Sequence, residues 1–310
     1  MDKWIMIVNP KSASAATDNY WTGSVALLQE AGLDVTVSPT RYAGHAVELA
    51  QEAAAQGIRN FIATGGDGTV HEVMTGLLRY SDATGTDLGG FTFAVLSFGT
   101  GNDWIRTPGI PTDVAEAAKC IIRGNTAKED IVRATFGDGS VFCVANVAGV
   151  GLDADICVRT NKLKKLGRRG SILFKLVAPY TIFSRKVRSV EFVCDGQTIY
   201  SGRLFSAAIG NGLYRGGGVR QTLDESSWDD GLLEISIMGD VGRIKATVQT
   251  VHALLGDYVK LPGIINKRFR KITVRPLDEG ADNVELDGEV PGTLPVTVEV
   301  TGMQINIIVP

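Results

Sequence analysis

The chain has 310 residues, 44% of them hydrophobic and 21% charged, with a formal net charge of −3. That length buries a sizeable core and favours two domains, while so small a net charge gives no argument for nucleic-acid binding by the chain as a whole. Four widely spaced cysteines without a C-x-x-C pair read as reduced side chains of a cytoplasmic protein, and three histidines make a zinc cluster improbable.

The apolar run at the N-terminus is too short for a signal peptide, so Trp4–Val8 reads as a first strand, followed by the polar turn Asn9-Pro-Lys-Ser-Ala-Ser14. A helix near Asn19–Ala31, a strand at Val35–Ser38 and an Ala-rich helix at Gly44–Gln56 follow. Phe61–Ala63 then reads as a buried strand, and Gly65, Gly66 and Gly68 allow tight turning and close approach of a ligand. Val70, Val73, Met74, Leu77 and Leu78 recur at helical spacing and predict a helix over Val70–Tyr80. Strand, glycine turn and helix N-terminus together aim backbone N–H groups and a positive dipole end at one spot, which suits phosphate. Asp67 would repel phosphate unaided, so it is expected to work through bound Mg²⁺ or by hydrogen-bonding the loop; the plainer reading makes it a cap. A further strand (Phe91–Ser97) leads into a second glycine turn, Ser97-Phe-Gly-Thr-Gly-Asn-Asp103, and then a helix at Thr112–Arg123. This alternation predicts a parallel sheet with helices on both faces, its two glycine turns opening at the carboxyl ends of the strands.

From about Asp130 the pattern changes. Val141–Val147, Val187–Cys194, Arg203–Ile209, Leu232–Met238, Lys271–Val274 and Val296–Val300 are strand-like, and Asp138-Gly139 and Asp195-Gly196 are hairpin signals. The expected fold is a mostly antiparallel sandwich with helical pieces near Asp153–Leu163 and Ile244–Leu255. Gly149-Val-Gly151-Leu-Asp-Ala154 has the spacing of a dinucleotide fingerprint but stands in the antiparallel half, against a Rossmann site. Ile172–Phe183 is the most apolar internal segment, yet it carries Lys175 and Pro179 and is too short to span a bilayer. Between Arg159 and Arg188 stand Arg159, Lys162, Lys164, Lys165, Arg168, Arg169, Lys175, Arg185, Lys186 and Arg188, with no acidic residue among them. Interleaved with apolar residues, they suit docking on anionic lipid headgroups; the alternative is a solvated helical hairpin whose long side chains cover apolar surface.

No Gly-Lys dipeptide occurs, which excludes a Walker-type P-loop. The chain does carry Asn9-Pro10, Thr40-x4-His45-Ala46, Gly65-Gly-Asp-Gly-Thr69, Gly99-Thr-Gly-Asn-Asp103 and Ile110-Pro111. Further on come Gly210-Asn-Gly212, Gly216-Gly-Gly218, Asp229-Asp-Gly-Leu-Leu233 and Asp287-Gly-Glu289. In this order, over nearly the whole chain, these motifs resemble the diacylglycerol kinase and sphingosine kinase catalytic family, including the bacterial soluble lipid kinases. The resemblance implies an ATP-binding α/β domain over residues 1–129, with 300–310 returning to it, and a β-sandwich lipid-substrate domain over 130–299. It implies nucleotide contacts from Asn9, Thr40, Gly65, Gly66, Asp67, Gly68, Thr69, Val70, His71, Glu72 and Thr100. By the same resemblance Asp67, Asp103 and Asp130 belong to an acidic network for catalytic Mg²⁺. A second, structural Mg²⁺ would be held by Ser227, Asp230 and Leu232, and Glu289 would be the proton acceptor. Without the resemblance, Asp229-Asp230-Gly231 and Asp287-Gly-Glu289 are plain turns. Three departures stand out: Ala13 where the family has Gly, His71 where its bacterial members commonly have Asn, and Glu225 four residues before Asp229.

The expected function is an ATP- and Mg²⁺-dependent kinase that phosphorylates a lipid hydroxyl. It would be cytoplasmic and visit the membrane through the 159–188 segment. Diacylglycerol is the default acceptor; sphingosine, phosphatidylglycerol, undecaprenol and monoacylglycerol stay open, as does a homodimer. A soluble-substrate kinase of the NAD kinase type shares the Gly-Gly-Asp-Gly turn and is the rival reading, with a non-catalytic binding module behind it.

Overall fold

The computed structural model describes residues 3–12, 20–99, 101–165, 172–222, 227–254 and 260–310. The chain divides into two compact units, Met1–Ile131 with Gly302–Pro310, and Val132–Thr301.

The first unit alternates β1 (Lys3–Val8), α1 (Thr22–Glu30), β2 (Asp34–Pro39), α2 (His45–Ala55), β3 (Asn60–Gly65), α3 (Asp67–Thr84), β4 (Thr92–Ser97) and α4 (Val114–Arg123). β5 (Thr126–Phe136) then leads out of it. The strands pair in parallel in the order β2–β1–β3–β4, so their carboxyl ends share one edge. Their apolar residues are buried on both faces, as a parallel sheet covered by helices requires. α3 starts at Asp67, three residues before the predicted Val70, because Gly66 in extended conformation already serves as N-cap. It lies close on α2: a Cβ at Gly76 would come within 2.5 Å of the Val47 carbonyl and 2.7 Å of Ala50 Cβ. The small residues of the Ala-rich helix thus let the middle of α3 lie against the first half of α2.

The second unit comprises β6 (Val141–Cys143), β7 (Val147–Gly151), α5 (Leu152–Lys165), α6 (Ile172–Ser184), β8 (Arg188–Cys194), β9 (Gln197–Gly210), β10 (Tyr214–Arg215), β11 (Val219–Arg220) and β12 (Leu233–Gly239). After these come α7 (Arg243–Leu254), β13 (Ile264–Phe269), β14 (Lys271–Pro276), β15 (Asn283–Leu286) and β16 (Glu289–Thr293). The last strand, β17 (Val296–Ile308), pairs antiparallel with β14 over its first residues and parallel with β4 at Asn306 and Ile307. All the strand pairings described within the second unit are antiparallel. β9 pairs with β8 over its first half and with β7 and β12 over its second. Inward residues of these strands, among them Val132, Phe192, Leu204, Ile209, Ile235, Val274, Leu286 and Val298, form one apolar core. A smaller core joins α5, α6 and α7 through Ile156, Val177, Ile182 and Ala246.

The expected fold class stands: a parallel α/β unit and a mostly antiparallel β unit. The strand expected over Val141–Val147 is broken, since Val144–Asn146 turn between β6 and β7. The glycine pair at Gly149 and Gly151 does join a strand to a helix, but β7 is antiparallel to both its neighbours, which removes the Rossmann reading. Cys120, Cys143 and Cys194 are buried and Cys157 half-buried, all as free thiols. No helix among the described residues is long and apolar enough to cross a membrane.

Candidate active site

In the first unit, hydrogen bonds tie the strand ends into one rim. Thr40 N–H donates to the Val8 carbonyl (2.7 Å), Asn9 N–H to Thr64 (2.9 Å) and Phe98 N–H to Gly65 (2.7 Å). Asn9 turns its own chain, its Oδ1 accepting Lys11 N–H at 3.0 Å. Tyr20 donates its hydroxyl to the Asn9 carbonyl (2.8 Å), and its ring packs 4.3 Å from that of Phe98. Tyr20 therefore fastens the first turn to the second glycine loop, and burial pushes its hydroxyl up to about 12, keeping it a donor.

The two glycine loops meet backbone to backbone. A Cβ at Gly66 would lie 3.1 Å from Gly99 Cα, and one at Gly99 would lie 2.6 Å from Gly66 Cα. Gly66 has no side chain with which to cap α3, so among the described residues its first turn is left open to an acceptor from outside. Asp67 occupies the first helical position, where the dipole favours a carboxylate. Its Oδ1 accepts Trp104 N–H at 3.2 Å, which turns it toward the second loop. The hydroxyls of Thr64 and Thr69 and the side-chain carbonyl of Asn102 are buried here without a hydrogen-bond partner among the described residues.

Asp67 and Asp103 converge on Gly101, where a Cβ would lie 3.0 Å from Asp67 Oδ2 and 3.7 Å from Asp103 Oδ2. Asp103 is buried and has the Arg106 guanidinium at 3.4 Å. Asp130, also buried, accepts Gln304 Nε2 at 2.9 Å, while its neighbour Glu129 accepts the Trp104 indole N–H at 2.9 Å. Asp67, Asp103 and Asp130 do not form a three-carboxylate centre, and no group of three or more His, Cys, Asp or Glu among the described residues is placed to hold a metal. Two carboxylates opening onto a glycine do fit Mg²⁺ of the kind that takes its remaining ligands from phosphate and water.

Of the other expected nucleotide contacts, Val70 and His71 are buried in α3. Glu72 accepts the N–H groups of Gly44 (2.9 Å) and Ala46 (3.2 Å), so it holds the start of α2 below Thr40. Thr100, Ala13 and Glu225 lie outside the described residues.

In the second unit Asp230 accepts N–H groups of Ser227 (3.2 Å) and Leu232 (3.0 Å) and pairs with Arg268, whose Nε also meets Glu234 at 2.7 Å. As it stands this loop does not fit a metal, because N–H groups and a guanidinium occupy the carboxylate that a cation would need.

Glu289 is exposed at the start of β16, directly after a two-residue turn in which Asp287 (φ 52) and Gly288 (φ 90) are both left-handed. Such a turn favours Asp-Gly. Asp287 is buried and its carboxylate accepts three backbone N–H groups, from Ala145 (2.9 Å), Asn146 (2.7 Å) and Val147 (2.9 Å). Asp287 thus anchors the hairpin and Glu289 is displayed by it. The basic stretch needs one correction: Arg185 is no surface cation. Its side chain is 1% exposed and binds Asp155 (2.6 Å), Asp282 (2.8 Å) and the Leu204 carbonyl. Burial pushes the Asp282 carboxyl up against the opposing pull of Arg185. Lys164, Lys165 and Lys175 have undescribed side chains, and Arg168 and Arg169 lie outside the described residues.

A parallel α/β unit with two glycine loops in contact is followed by a β unit, and the relatives of this chain make it a phosphotransferase that uses an alcohol acceptor. The family model "Diacylglycerol kinase catalytic domain" matches residues 3–134, and "YegS C-terminal NAD kinase beta sandwich-like domain" matches 146–309. The chain is 28% identical to a diacylglycerol kinase of Bacillus subtilis over 98% of its own length and 95% of the relative's. It is 32% identical to the probable lipid kinase YegS of Salmonella gallinarum, covering 80% of this chain and 78% of that one. A crystal structure of a diacylglycerol kinase from Bacillus anthracis superposes with a TM-score of 0.76 at 28% identity, covering 100% of this chain and 97% of that chain. The chain belongs to the diacylglycerol kinase and YegS-type lipid kinase family.

Proposed function

We propose that the protein transfers the γ-phosphoryl group of ATP to the hydroxyl of a membrane lipid, with diacylglycerol as the acceptor and phosphatidic acid as the product. The observation that carries this reading is the Gly66–Gly99 contact at the uncapped end of α3, with Asp67 and Asp103 facing the same glycine. The phosphates would lie along Asn9, Gly65–Thr69 and Thr100, and Thr40 would reach the nucleotide from the neighbouring strand end. Val70, His71 and Glu72 would act by holding the first turns of α3 and α2. Mg²⁺ held by Asp67 and Asp103 would neutralise charge on the transferred group. Asp130 would act by holding the returning strand through Gln304. Glu289, exposed and set on a rigid turn, would accept the proton of the lipid hydroxyl as its oxygen bonds to phosphorus.

The acceptor class finds support in the helices of the second unit. Tyr180 and Phe183 on α6 are exposed, as are Ile244 and Val248 on α7, which shares an apolar core with α6. Beside them a cavity of about 540 Å³ is lined by Lys186, Arg203 and Arg243 against one acid, Asp240. Exposed apolar side chains bordered by cations suit a peripheral site on anionic lipid.

Labelled ATP with a panel of lipid alcohols and NAD tests the reading. Phosphate should appear on a lipid, and Glu289→Gln should keep ATP binding while losing about 10²–10⁴-fold in transfer. Label on NAD alone, or an undiminished Glu289→Gln enzyme, would overturn it.

A further inference from the structure

The hairpin that displays Glu289 is gripped by a carboxyl group that phosphoryl transfer itself does not use. Glu285 lies on β15, two residues before Asp287 of the turn. Glu285 Oε2 accepts the N–H of Gly288 at 2.9 Å, and the Gly288 carbonyl accepts Asn161 Nδ2 from α5 at 3.0 Å. Side chains therefore hold both polar groups of the residue directly before Glu289, while three N–H groups hold Asp287. Opposite Glu285 in β7 stands Gly149, where a Cβ would come within 2.6 Å of Glu285 Oε1 and 2.9 Å of Asp153 Cβ. The glycine of the false dinucleotide fingerprint is thus the gap in which this carboxyl sits.

We propose that Glu285 is a positioning residue for phosphoryl transfer, fixing the direction in which Glu289 leaves the turn by holding the Gly288 N–H. The role rests on reading Glu289 as the base. Burial above all, against the pull of the Gly288 N–H and Arg215 and with the help of Asp153 and Asp287, pushes the Glu285 carboxyl up to about 8. The charged groups that face it are Asp153 of α5, Asp287 of the turn and Arg215 of β10, and Arg215 is already bound to Asp153 at 3.0 Å. At neutral pH Glu285 holds the turn as an uncharged acid. Its ionisation strengthens the bond to the Gly288 N–H but sets a third carboxylate against Asp153 and Asp287 with one guanidinium among them, and that repulsion displaces the turn.

The test combines steady-state kinetics on diacylglycerol in mixed micelles, between about pH 6 and 10, with hydrogen exchange at the amides of Gly288, Glu289 and Val290. The wild type should lose kcat as pH rises through about 8 with little change in KM for ATP. Glu285→Gln offers the same acceptor oxygen but cannot ionise; it should lack that alkaline limb and lose at most about threefold at neutral pH. Glu285→Ala should lose about tenfold or more in kcat and exchange the Gly288 amide faster than the wild type. An alkaline limb common to the wild type and Glu285→Gln would overturn the proposal, and so would unchanged Gly288 exchange in Glu285→Ala. If the Ala variant does not fold, the Gln profile decides. An active Glu289→Gln would remove the base reading alone, because Gly288 exchange still reports whether Glu285 holds the turn.

Discussion

Burial raises the Glu285 carboxyl from 4.5 to about 8, so between those values the folded protein holds a proton that the unfolded chain has released. Stability therefore falls as pH rises through that window and levels off above it, by roughly 3–6 kcal/mol for this group. Chemical denaturation at pH 5 and at pH 8.5 should show the loss in the wild type and a flatter profile in Glu285→Gln; parallel profiles would remove the linkage. Glu289, only four residues on, is exposed. Sequence motifs singled out Glu289 but not Glu285, because a carboxylate in a four-residue strand looks solvated until β7 and α5 close over it. Asp67 shows the reverse limit. The glycine turn drew attention to it, yet the N–H that its carboxylate accepts belongs to Trp104, 37 residues away.

Elements with strong periodicity were legible and weak ones were not. The apolar spacing of α3 located its body, and the alternation of strands and helices gave the parallel sheet of the first unit. β13, β15 and β16 escaped, since Asn266, Lys267 and Arg268 interrupt the first, the second is four residues long, and β16 contains Pro291 and Gly292. The β15–β16 hairpin depends less on its own pairing than on Asp287, whose carboxylate meets the turn Ala145–Val147 of a distant segment. Asp287→Ala removes one partner from three buried N–H groups and should cost about 3–5 kcal/mol. Asp287→Asn, which retains one acceptor oxygen, should cost less. A drop in Tm no larger for Ala than for Asn would show that the anchor is not electrostatic.

At the scale of the whole molecule, β5 carries the chain out of the first unit and β17 brings it back. The returning end adds a fifth parallel strand beside β4, supplies Gln304 to Asp130, and through Asn306 Nδ2 binds the carbonyls of Gly89 (2.8 Å) and Phe91 (2.9 Å). Deleting residues 302–310 should abolish ATP binding and leave the first unit open to proteolysis, while retained ATP affinity would show that four strands suffice. The return of β17 also fixes an order of events at the ribosome. The first unit is begun before the second is translated and completed after it, because its fifth strand follows the whole second unit in the chain. A chain that stops within the second unit lacks the strand that completes the sheet of the first, so incomplete synthesis is felt in the first unit by topology alone.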